Sequence, residues 1–558
     1  MTSTETGDVM IFRSGSLAVF RALAIGLILM AGPWCLEAGG QQGEVPASPK
    51  SGASIPTNTY RAPLLNNPKT LDPAYIQDIY SRVVANQLFD GLVRYSRDLF
   101  VIPALAETWQ VEEQGKLYRF TLRPNATFHD GQPVTAADVV FSLSRLFRVS
   151  PRPTVMPYLM RISGARDYMD GKASRIAGLQ AVDDRTVMVR LDEPYAPFLV
   201  ALGMQNTFIV PAKLAVREEL FWRSPVGSGP FKLVRWSDGE RISLERFPAY
   251  FAGPSRLDGV DFIIYPGIDI DQVWKDFKEA RLDEMPFYPK FREELRAIES
   301  LKWLRRPSLS LQFYGFNTTH PILGDPEVRS VLLSAIDRGK LAAVAYGGEL
   351  EPAMGILPPG LPGYQPGGSE TRVDRMTDGA RLDEIRRKLG SMTEPLEVVS
   401  NSQSATAKAE LEFVRESWGA LGIKMRPRFI PDWGEFEAYL KSDDMQIYRY
   451  AWFADIPDPD DFLRVLFALD SPVNYMRYRN PDIDEMLRNA AGTMDPVQRA
   501  TSYREIEQRI MKDTPMIPLT NLTVDLVYQS YVHDLEVTAL GSPAVSYHRV
   551  WLDRKAVP

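Results

Sequence analysis

A chain of 558 residues exceeds the roughly 250 to 300 at which one hydrophobic core stops growing, which excludes a single small module and predicts at least two lobes. Hydrophobic residues make up 45% and charged residues 24%, a globular composition that excludes wholesale disorder. The net charge is -7 and Lys and Arg are scattered, so nucleic acid is excluded as the expected partner.

The amino terminus has the pattern of a secretory signal peptide. Arg13 and Arg21 precede an apolar run over 22–36, and small residues suited to cleavage follow at 38–40. The run is shorter than the roughly 18 apolar residues of a stable membrane span. We therefore expect residues 1–40 to be a signal peptide and the mature chain to be periplasmic or associated with the cell envelope. An uncleaved membrane anchor is the alternative.

The single cysteine, Cys35, falls within this signal, so a mature chain without it has neither a disulfide nor thiol chemistry. Lipid attachment at Cys35 is an alternative, although Pro33 and Trp34 stand where bacterial lipoprotein signals have small residues. Residues 41–56 are rich in Gly, Gln, Ser and Pro, which predicts a flexible tether before a fold that begins near Thr57.

Hydrophobic periodicity predicts both helices and strands in the first half of the chain. Apolar residues recur at three- and four-residue spacing over 76–88, which predicts a helix that runs to Gly91. Apolar and polar residues alternate over 118–123 and again over 187–191, which predicts two half-buried strands.

Further local signals appear in both halves. Thr135 and Asp138 have the spacing of a capping box that opens a helix over 136–146. The later order is strand, helix, strand, at 396–399, 405–420 and 423–430. This order predicts a βαβ unit. Because helices and strands alternate throughout, the expected fold class is α/β or mixed α+β.

The motifs of common enzyme classes are missing from the sequence. It has no GxSxG nucleophile elbow, no GxxxxGK[ST] phosphate loop, no GxGxxG fingerprint and no HExxH zinc helix. The histidines stand too far apart for a local metal signature, at His129, His320, His533 and His548. We therefore expect no catalytic residue, no metal site and no cofactor.

Two polar loops have a functional and a structural interpretation. Gly227–Pro230 could bind an anion, but it lacks the Lys and the following helix of a phosphate loop, which favours a tight turn. An acidic run over 455–461 lacks the Gly and the distant Glu of an EF-hand calcium loop. Because Pro457 and Pro459 stiffen it, we predict a rigid turn whose carboxylates cap a helix over 462–468.

Aromatic residues precede the acidic run at Tyr448, Tyr450, Trp452 and Phe453. One interpretation is ordinary core packing. The other is a strand end that presents an aromatic platform and a carboxylate to a ligand.

Several stretches resemble the family 5 extracytoplasmic solute-binding proteins, the dipeptide- and oligopeptide-binding receptors of bacterial ABC importers. They are Asn67–Pro73, Gln87–Leu92, Pro103–Trp109, Phe128–Val139, Val226–Phe231, Asp325–Arg329 and Trp418–Ile423. The resemblance covers about residues 57 to 550. It implies two α/β lobes that enclose the ligand and are joined by crossings near 308–315 and 514–520. The implied division is lobe 1 at 57–307, lobe 2 at 308–514 and a return to lobe 1 at 515–558.

The resemblance also implies a ligand site. Arg449, Trp452 and Asp455 match a ligand-anchoring stretch of oligopeptide-binding members. By that likeness Asp455 holds the α-ammonium of a peptide, Trp452 flanks a side-chain pocket and Arg449 faces the terminal carboxylate. A carboxylate suits a desolvated ammonium, and the planar fork of Arg suits a carboxylate.

The expected function is a monomeric receptor, peripheral to the membrane, that delivers a short peptide to the permease subunits of an ABC importer. Because fold alone does not name a ligand, a metal chelate, an oligosaccharide or an opine-like compound remains an alternative. A secreted hydrolase, and a sensor or chaperone that uses the same cleft, are the alternatives from other classes.

Overall fold

The computed structural model of the chain describes residues 58–216, 221–367, 379–390 and 394–554. The predicted signal peptide, with Cys35, and the predicted tether lie outside these residues. The described residues form two lobes of mixed helices and strands. None of the helices in these ranges is long and apolar enough to cross a membrane.

The first lobe holds the elements before the first crossing and those after the second. Its strands are β1 (Thr59–Leu64), β2 (Val93–Tyr95), β3 (Val101–Pro103), β4 (Ala106–Glu112), β5 (Leu117–Leu122), β6 (Leu179–Ala181), β7 (Thr186–Arg190), β8 (Phe231–Ser237), β9 (Arg241–Arg246), β10 (Gly259–Ile264), β11 (Glu284–Pro286) and β12 (Lys302–Pro307). Its helices are α1 (Ile79–Leu88), α2 (Ala136–Arg145), α3 (Met156–Leu159), α4 (Ala165–Met169), α5 (Pro197–Ala201), α6 (Ala212–Ala215), α7 (Ile270–Lys278) and α8 (Arg292–Arg296).

The second lobe lies between the crossings, after which the chain returns to the first. Its strands are β13 (Ser310–Phe316), β14 (Leu396–Ser400), β15 (Met425–Phe429), β16 (Ile447–Phe453) and β17 (Met516–Thr520). Its helices are α9 (Pro326–Ser334), α10 (Arg338–Tyr346), α11 (Gly379–Gly390), α12 (Ala405–Gly419), α13 (Trp433–Lys441), α14 (Asp460–Phe467), α15 (Pro481–Gly492) and α16 (Pro496–Lys512). The returning strands are β18 (Thr523–Tyr528), β19 (Val532–His533) and β20 (Trp551–Leu552).

Each lobe is built on its own sheets. The first lobe has four-stranded sheets in the orders β1-β10-β9-β8 and β4-β5-β7-β6, a three-stranded sheet β11-β18-β12 and the pairs β2-β3 and β19-β20. The second lobe has one five-stranded sheet in the order β15-β14-β16-β13-β17. In that sheet β14 is parallel to both neighbours, whereas β13 is antiparallel to β16 and β17.

The five-stranded sheet is buried on both faces. Leu311, Phe313, Tyr448, Tyr450 and Trp452 pack into one core cluster of the second lobe. A second cluster contains Tyr314, Phe316, Val398, Ile447 and Ile517. Because successive side chains of a strand point to opposite faces, neighbours along β13 and β16 enter different cores.

The chain passes between the lobes at two adjacent points, from β12 to β13 and from β17 to β18. The amide of Ser308 donates to the carbonyl oxygen of Leu522 at 2.7 Å, and the amide of Leu522 donates to Ser310 Oγ at 3.1 Å. Because β17 pairs with β13 in the five-stranded sheet, the return to the first lobe begins after Thr520 and not at residue 515 as predicted.

Several local predictions are confirmed. The alternating segments form β5 and β7, and β14, α12 and β15 form a βαβ unit with parallel strands. The capping box opens α2: Thr135 Oγ1 accepts the amide of Asp138 at 3.3 Å, and Asp138 accepts the amide of Thr135 at 3.0 Å.

The first predicted helix is shorter than expected. It is α1, which ends at Leu88 instead of continuing to Gly91. The amide of Gly229 donates to the carbonyl oxygen of Leu88 at 2.9 Å, and Phe89 is already extended. A loop distant in sequence therefore takes the place of the next helical turn.

Candidate functional site at the seam between the lobes

The acidic turn, which we define as residues 455–461, joins β16 to α14 where the lobes meet. Its aspartates differ in exposure. Asp458, Asp460 and Asp461 are 1 to 2% exposed, whereas the side chain of Asp455 is 34% exposed. Within this fully described turn, Asp455 is therefore the aspartate that a solute can reach.

Side chains from both lobes hold the buried part of the acidic turn. Arg499 of α16 donates to the two carboxylate oxygens of Asp458 at 2.8 and 2.6 Å. From the first lobe, the hydroxyl of Tyr158 donates to Asp461 at 2.8 Å. The turn is thus a fixed part of the seam, and its position depends on both lobes.

Burial changes the ionisation of two of these carboxyl groups. Burial, followed by the negative charge of Asp458, raises the pKa of Asp460, to which the hydroxyl of Tyr195 donates at 3.1 Å. Burial, followed by the negative charge of Asp455, raises the pKa of Asp461 well above its usual value. The two carboxyl groups with raised pKa values are thus buried members of the turn, whereas Asp458 is paired with Arg499 and Asp455 is accessible.

Among the aspartates of the acidic turn, the prediction that carboxylates cap the next helix holds for Asp458 and not for the others. Helix α14 begins at Asp460, and Pro459 at its N-cap has no side chain that accepts a hydrogen bond. Asp458 accepts the amide of Asp460 at 2.9 Å, but its main partner is Arg499. Asp460 and Asp461 instead accept hydrogen bonds from the hydroxyls of Tyr195 and Tyr158.

Asp455 faces the first lobe. Its carboxylate lies 3.6 Å from Nη2 of Arg82, which lies on α1. The backbone amide of Asp455 donates to Asp461 at 2.9 Å, which fixes the start of the acidic turn. A separation of 3.6 Å is longer than a charge-assisted hydrogen bond, so a ligand ammonium at about 2.8 Å would interact more strongly with this carboxylate.

The aromatic residues before the turn mostly belong to the core. Tyr448, Tyr450 and Trp452 are 1 to 8% exposed, whereas Phe453 is 37% exposed. This arrangement agrees with the core-packing interpretation for three of the four. However, Trp452 Nε1 is buried and has no hydrogen-bond partner among the described residues. An unpaired buried donor is costly, and an acceptor supplied by a ligand would relieve that cost.

Arg449 is buried in a polar network beneath α10 and α12. Its Nε and Nη2 donate to the two carboxylate oxygens of Glu410 at 2.8 and 3.1 Å, and Nη2 also donates to Gln312 at 3.1 Å. The hydroxyls of Tyr314 and Tyr346 donate to the same carboxylate at 2.8 and 2.5 Å. Burial opposes the charge of Arg449, but Glu410 outweighs it, so the pKa of the guanidinium is raised. The predicted contact of Arg449 with a ligand carboxylate stays a prediction, and a carboxylate of the chain is already present.

The lobes meet at a second group of charges beside the crossings. Glu349, which follows α10, lies 2.7 Å from Arg292 of α8 and 2.7 Å from Arg305 of β12. Arg305 also pairs with Asp525 of the returning strand. These ion pairs join the two lobes at the hinge.

The glycine-rich loop at 227–230 is a structural turn. A Cβ placed on Gly227 would lie 1.9 Å from the carbonyl oxygen of Leu88. His129 bridges the loop, since Nδ1 accepts the amide of Gly227 at 3.1 Å and Nε2 donates to the carbonyl oxygen of Gly229 at 3.1 Å. This bridging agrees with the structural interpretations of the loop and of His129.

The structure brings part of the predicted site to one place and shows partners that local patterns did not indicate. Asp455 lies at the seam, Trp452 is inside the second lobe, and Arg449 is on the opposite face of β16 from Trp452. Arg82 and Glu410 were missed, because each lies far along the chain from its partner. The sequence predicted the helix that contains Glu410, now α12. A glutamate on the buried face of that helix could have indicated a buried cationic partner, because Glu is rarely buried unless it is paired.

Two α/β lobes joined by adjacent crossings, with a reachable carboxylate at their seam, define a two-lobed solute-binding protein. A family model described as bacterial extracellular solute-binding proteins, family 5 (middle), matches residues 101–471, and the chain belongs to this family.

Individual relatives agree with this assignment. The chain is 25% identical over 493 residues to the dipeptide-binding protein of Escherichia coli strain K12, with 85% of this chain and 90% of that protein covered. It is 27% identical over 499 residues to a peptide transport periplasmic protein of Salmonella typhimurium strain LT2, with 85% and 87% covered. The solved structure of HbpA2 from Haemophilus parasuis has the same fold, with a TM-score of 0.76, 23% identity and 89% and 100% covered.

Proposed function

We propose that the protein captures short peptides between its lobes outside the cytoplasm and delivers them to the permease subunits of an ABC importer. It acts as a monomer and performs no chemistry on its ligand. Asp455 binds the α-ammonium of the peptide, the indole N–H of Trp452 donates to the ligand, and Arg449 lies near the far end of the site. The names of the two relatives support peptide as the class of ligand.

The main support for this proposal is that Asp455 is accessible and only loosely paired. Of the aspartates in the acidic turn it alone is reachable, and it opposes the first lobe at 3.6 Å from Arg82. A ligand ammonium that enters the seam therefore meets a carboxylate whose present ion pair is loose. Closure of the lobes then removes water and strengthens the new pair.

A test of Asp455 compares a free-amine tripeptide with its N-acetylated form. In the wild-type protein, stripped of bound ligand, acetylation is expected to weaken binding at least about tenfold, since it removes the charge that Asp455 recognises. In Asp455→Asn, the free-amine peptide binds at least about tenfold more weakly, and acetylation has little further effect. Calorimetric titration measures both dissociation constants.

Asp432→Asn is the matched control. Asp432 is exposed on the same lobe and caps α13 by accepting the amide of Glu435 at 2.9 Å, a role that Asn also performs. This variant is expected to bind and to discriminate like wild type. Equal binding of the free-amine peptide by Asp455→Asn and wild type would show that Asp455 is not the anchor.

A further inference from the structure

The charge of Arg449 is balanced within the protein. Glu410 accepts from both Nε and Nη2 of Arg449, the paired geometry that a terminal carboxylate of a ligand would adopt. The side chains of Glu410 and Arg449 are 0% and 8% exposed. The carboxylate that Arg449 needs is therefore supplied by α12.

The other members of the network are neutral. Tyr314, Tyr346 and Gln312 contribute two hydroxyls and an amide, and burial raises the pKa of both tyrosines well above the usual value. One positive and one negative charge therefore cancel. Both carboxylate oxygens of Glu410 are engaged, so the pair is held in one arrangement.

A second carboxylate beside Arg449 would be unfavourable. A ligand carboxylate would lie within a few ångströms of Glu410, so one negative charge in a buried place would lack a counter-ion. Arg449 Nη1, in contrast, makes no hydrogen bond within the described part of the chain. That group is able to donate to a neutral acceptor, such as a peptide carbonyl.

We propose that Glu410 determines specificity by occupying the place of a ligand carboxylate at Arg449, so that the protein accepts peptides whose carboxyl end is amidated or extended as readily as free acids. This inference rests on the proposed peptide-binding function. Arg449 then recognises a main-chain carbonyl and not a terminal charge. Specificity at this end of the site comes from the mismatch between a second anion and a neutral pair.

The test compares a tripeptide with a free carboxylate and the same tripeptide as its carboxyl-terminal amide. For the wild-type protein the two dissociation constants are expected to agree within about threefold. In Glu410→Gln, which uncovers the charge of Arg449, the free acid is expected to bind at least about tenfold more tightly than the amide. Glu412→Gln, on the exposed face of the same helix, is the control and should discriminate like wild type.

Each outcome decides the inference. A wild-type preference of tenfold or more for the free acid would overturn it, and this measurement needs no variant. If Glu410→Gln folds and still binds both peptides equally, the pair is only structural and the role assigned to Glu410 is wrong. If Glu410→Gln does not fold, Glu410→Asp takes its place, because aspartate withdraws the carboxylate by one methylene. This variant should show an intermediate preference for the free acid. Equal binding of acid and amide by Glu410→Asp would overturn the role assigned to Glu410. Failure of both peptides to bind wild type would instead refute the proposed function.

Discussion

At the scale of single residues, His129 illustrates how a buried contact fixes a protonation state. Nδ1 accepts the amide of Gly227, so in the folded protein the proton sits on Nε2, which donates to the carbonyl oxygen of Gly229. Protonation of Nδ1 would set two donors against each other. Burial accordingly lowers the pKa of His129 to about 4.

This pKa predicts a pH dependence of folding stability. An unfolded histidine binds a proton below about pH 6.5, whereas folded His129 binds one only below about pH 4. Between these values the unfolded state holds more protons, so His129 lowers the free energy of unfolding as pH falls, by up to about 3 kcal/mol. We expect His129→Gln to be less stable than wild type at pH 7, because it lacks the bridging imidazole. At pH 4 the two stabilities should lie closer together, because only wild type loses the contribution of His129 as pH falls.

The comparison with the variant isolates this contribution. Burial raises the pKa of Asp90 to about 6 and those of Glu284 and Glu507 to about 7, which weakens folding as pH rises. These carboxyl groups are common to both proteins, so they cancel in the difference. Urea unfolding at intervals from pH 4 to pH 7 measures the difference in the free energy of unfolding between wild type and His129→Gln. A difference that does not change with pH would contradict the assigned role of His129.

At the scale of elements, the end of α1 depends on two glycines of the loop at 227–230. Gly227 and Gly229 pack against the backbone of Leu88, and a Cβ on Gly229 would lie 2.6 Å from its carbonyl carbon. Neither glycine has a positive φ. Glycine is thus required because the loop and the end of α1 approach each other closely. This contact fixes the position of α1, and with it Arg82, relative to the seam.

Gly227→Ala is therefore expected to destabilise the protein by at least about 2 kcal/mol, since the new methyl group meets a backbone oxygen that has little room to move. Gly419→Ala is the matched control. Gly419 is the last residue of α12 and a Cβ there meets nothing within 4 Å, so alanine is expected to be neutral or stabilising by up to about 1 kcal/mol. Similar thermal unfolding of the two variants would refute this account of the loop.

Elements with strong local signals could be predicted from the sequence. The capping box at Thr135 and the βαβ unit depend on residues within a few turns of one another, and both are confirmed. The end of α1 and the partners of the acidic turn could not be predicted in this way. They depend on contacts between segments far apart in the chain, such as Gly229 with Leu88 and Tyr158 with Asp461.

The candidate site shows the same limit. The resemblance indicated Asp455, and the structure places it at the seam, where its ligand contact remains a prediction. The same resemblance assigned Arg449 a ligand carboxylate, but it carried no information about Glu410, which lies 39 residues away. A residue type alone does not reveal whether its charge is already balanced inside the fold.

At the scale of the whole molecule, function depends on how firmly the lobes are joined. Glu349 and its arginines link them beside the crossings, and the acidic turn links them at the seam. The proposed enclosure of a ligand at the seam implies that the ligand binds the folded, closed state and not the unfolded chain. Saturation at about 100 times the dissociation constant should therefore stabilise the protein by roughly 2.7 kcal/mol.

We expect the seam to select peptides with a free ammonium group, and a competition between classes of ligand tests this selection. Protein stripped of ligand is mixed with equal concentrations of free-amine peptides of two to five residues, N-acetylated peptides, oligosaccharides, an opine and a metal chelate. The free-amine peptides are supplied both as carboxyl-terminal acids and as carboxyl-terminal amides. The complex is isolated, and mass spectrometry identifies the molecules released on denaturation. We predict that free-amine peptides dominate, as both carboxyl-terminal acids and amides. Retention of a single non-peptide compound, or of acetylated and free peptides alike, would contradict the account.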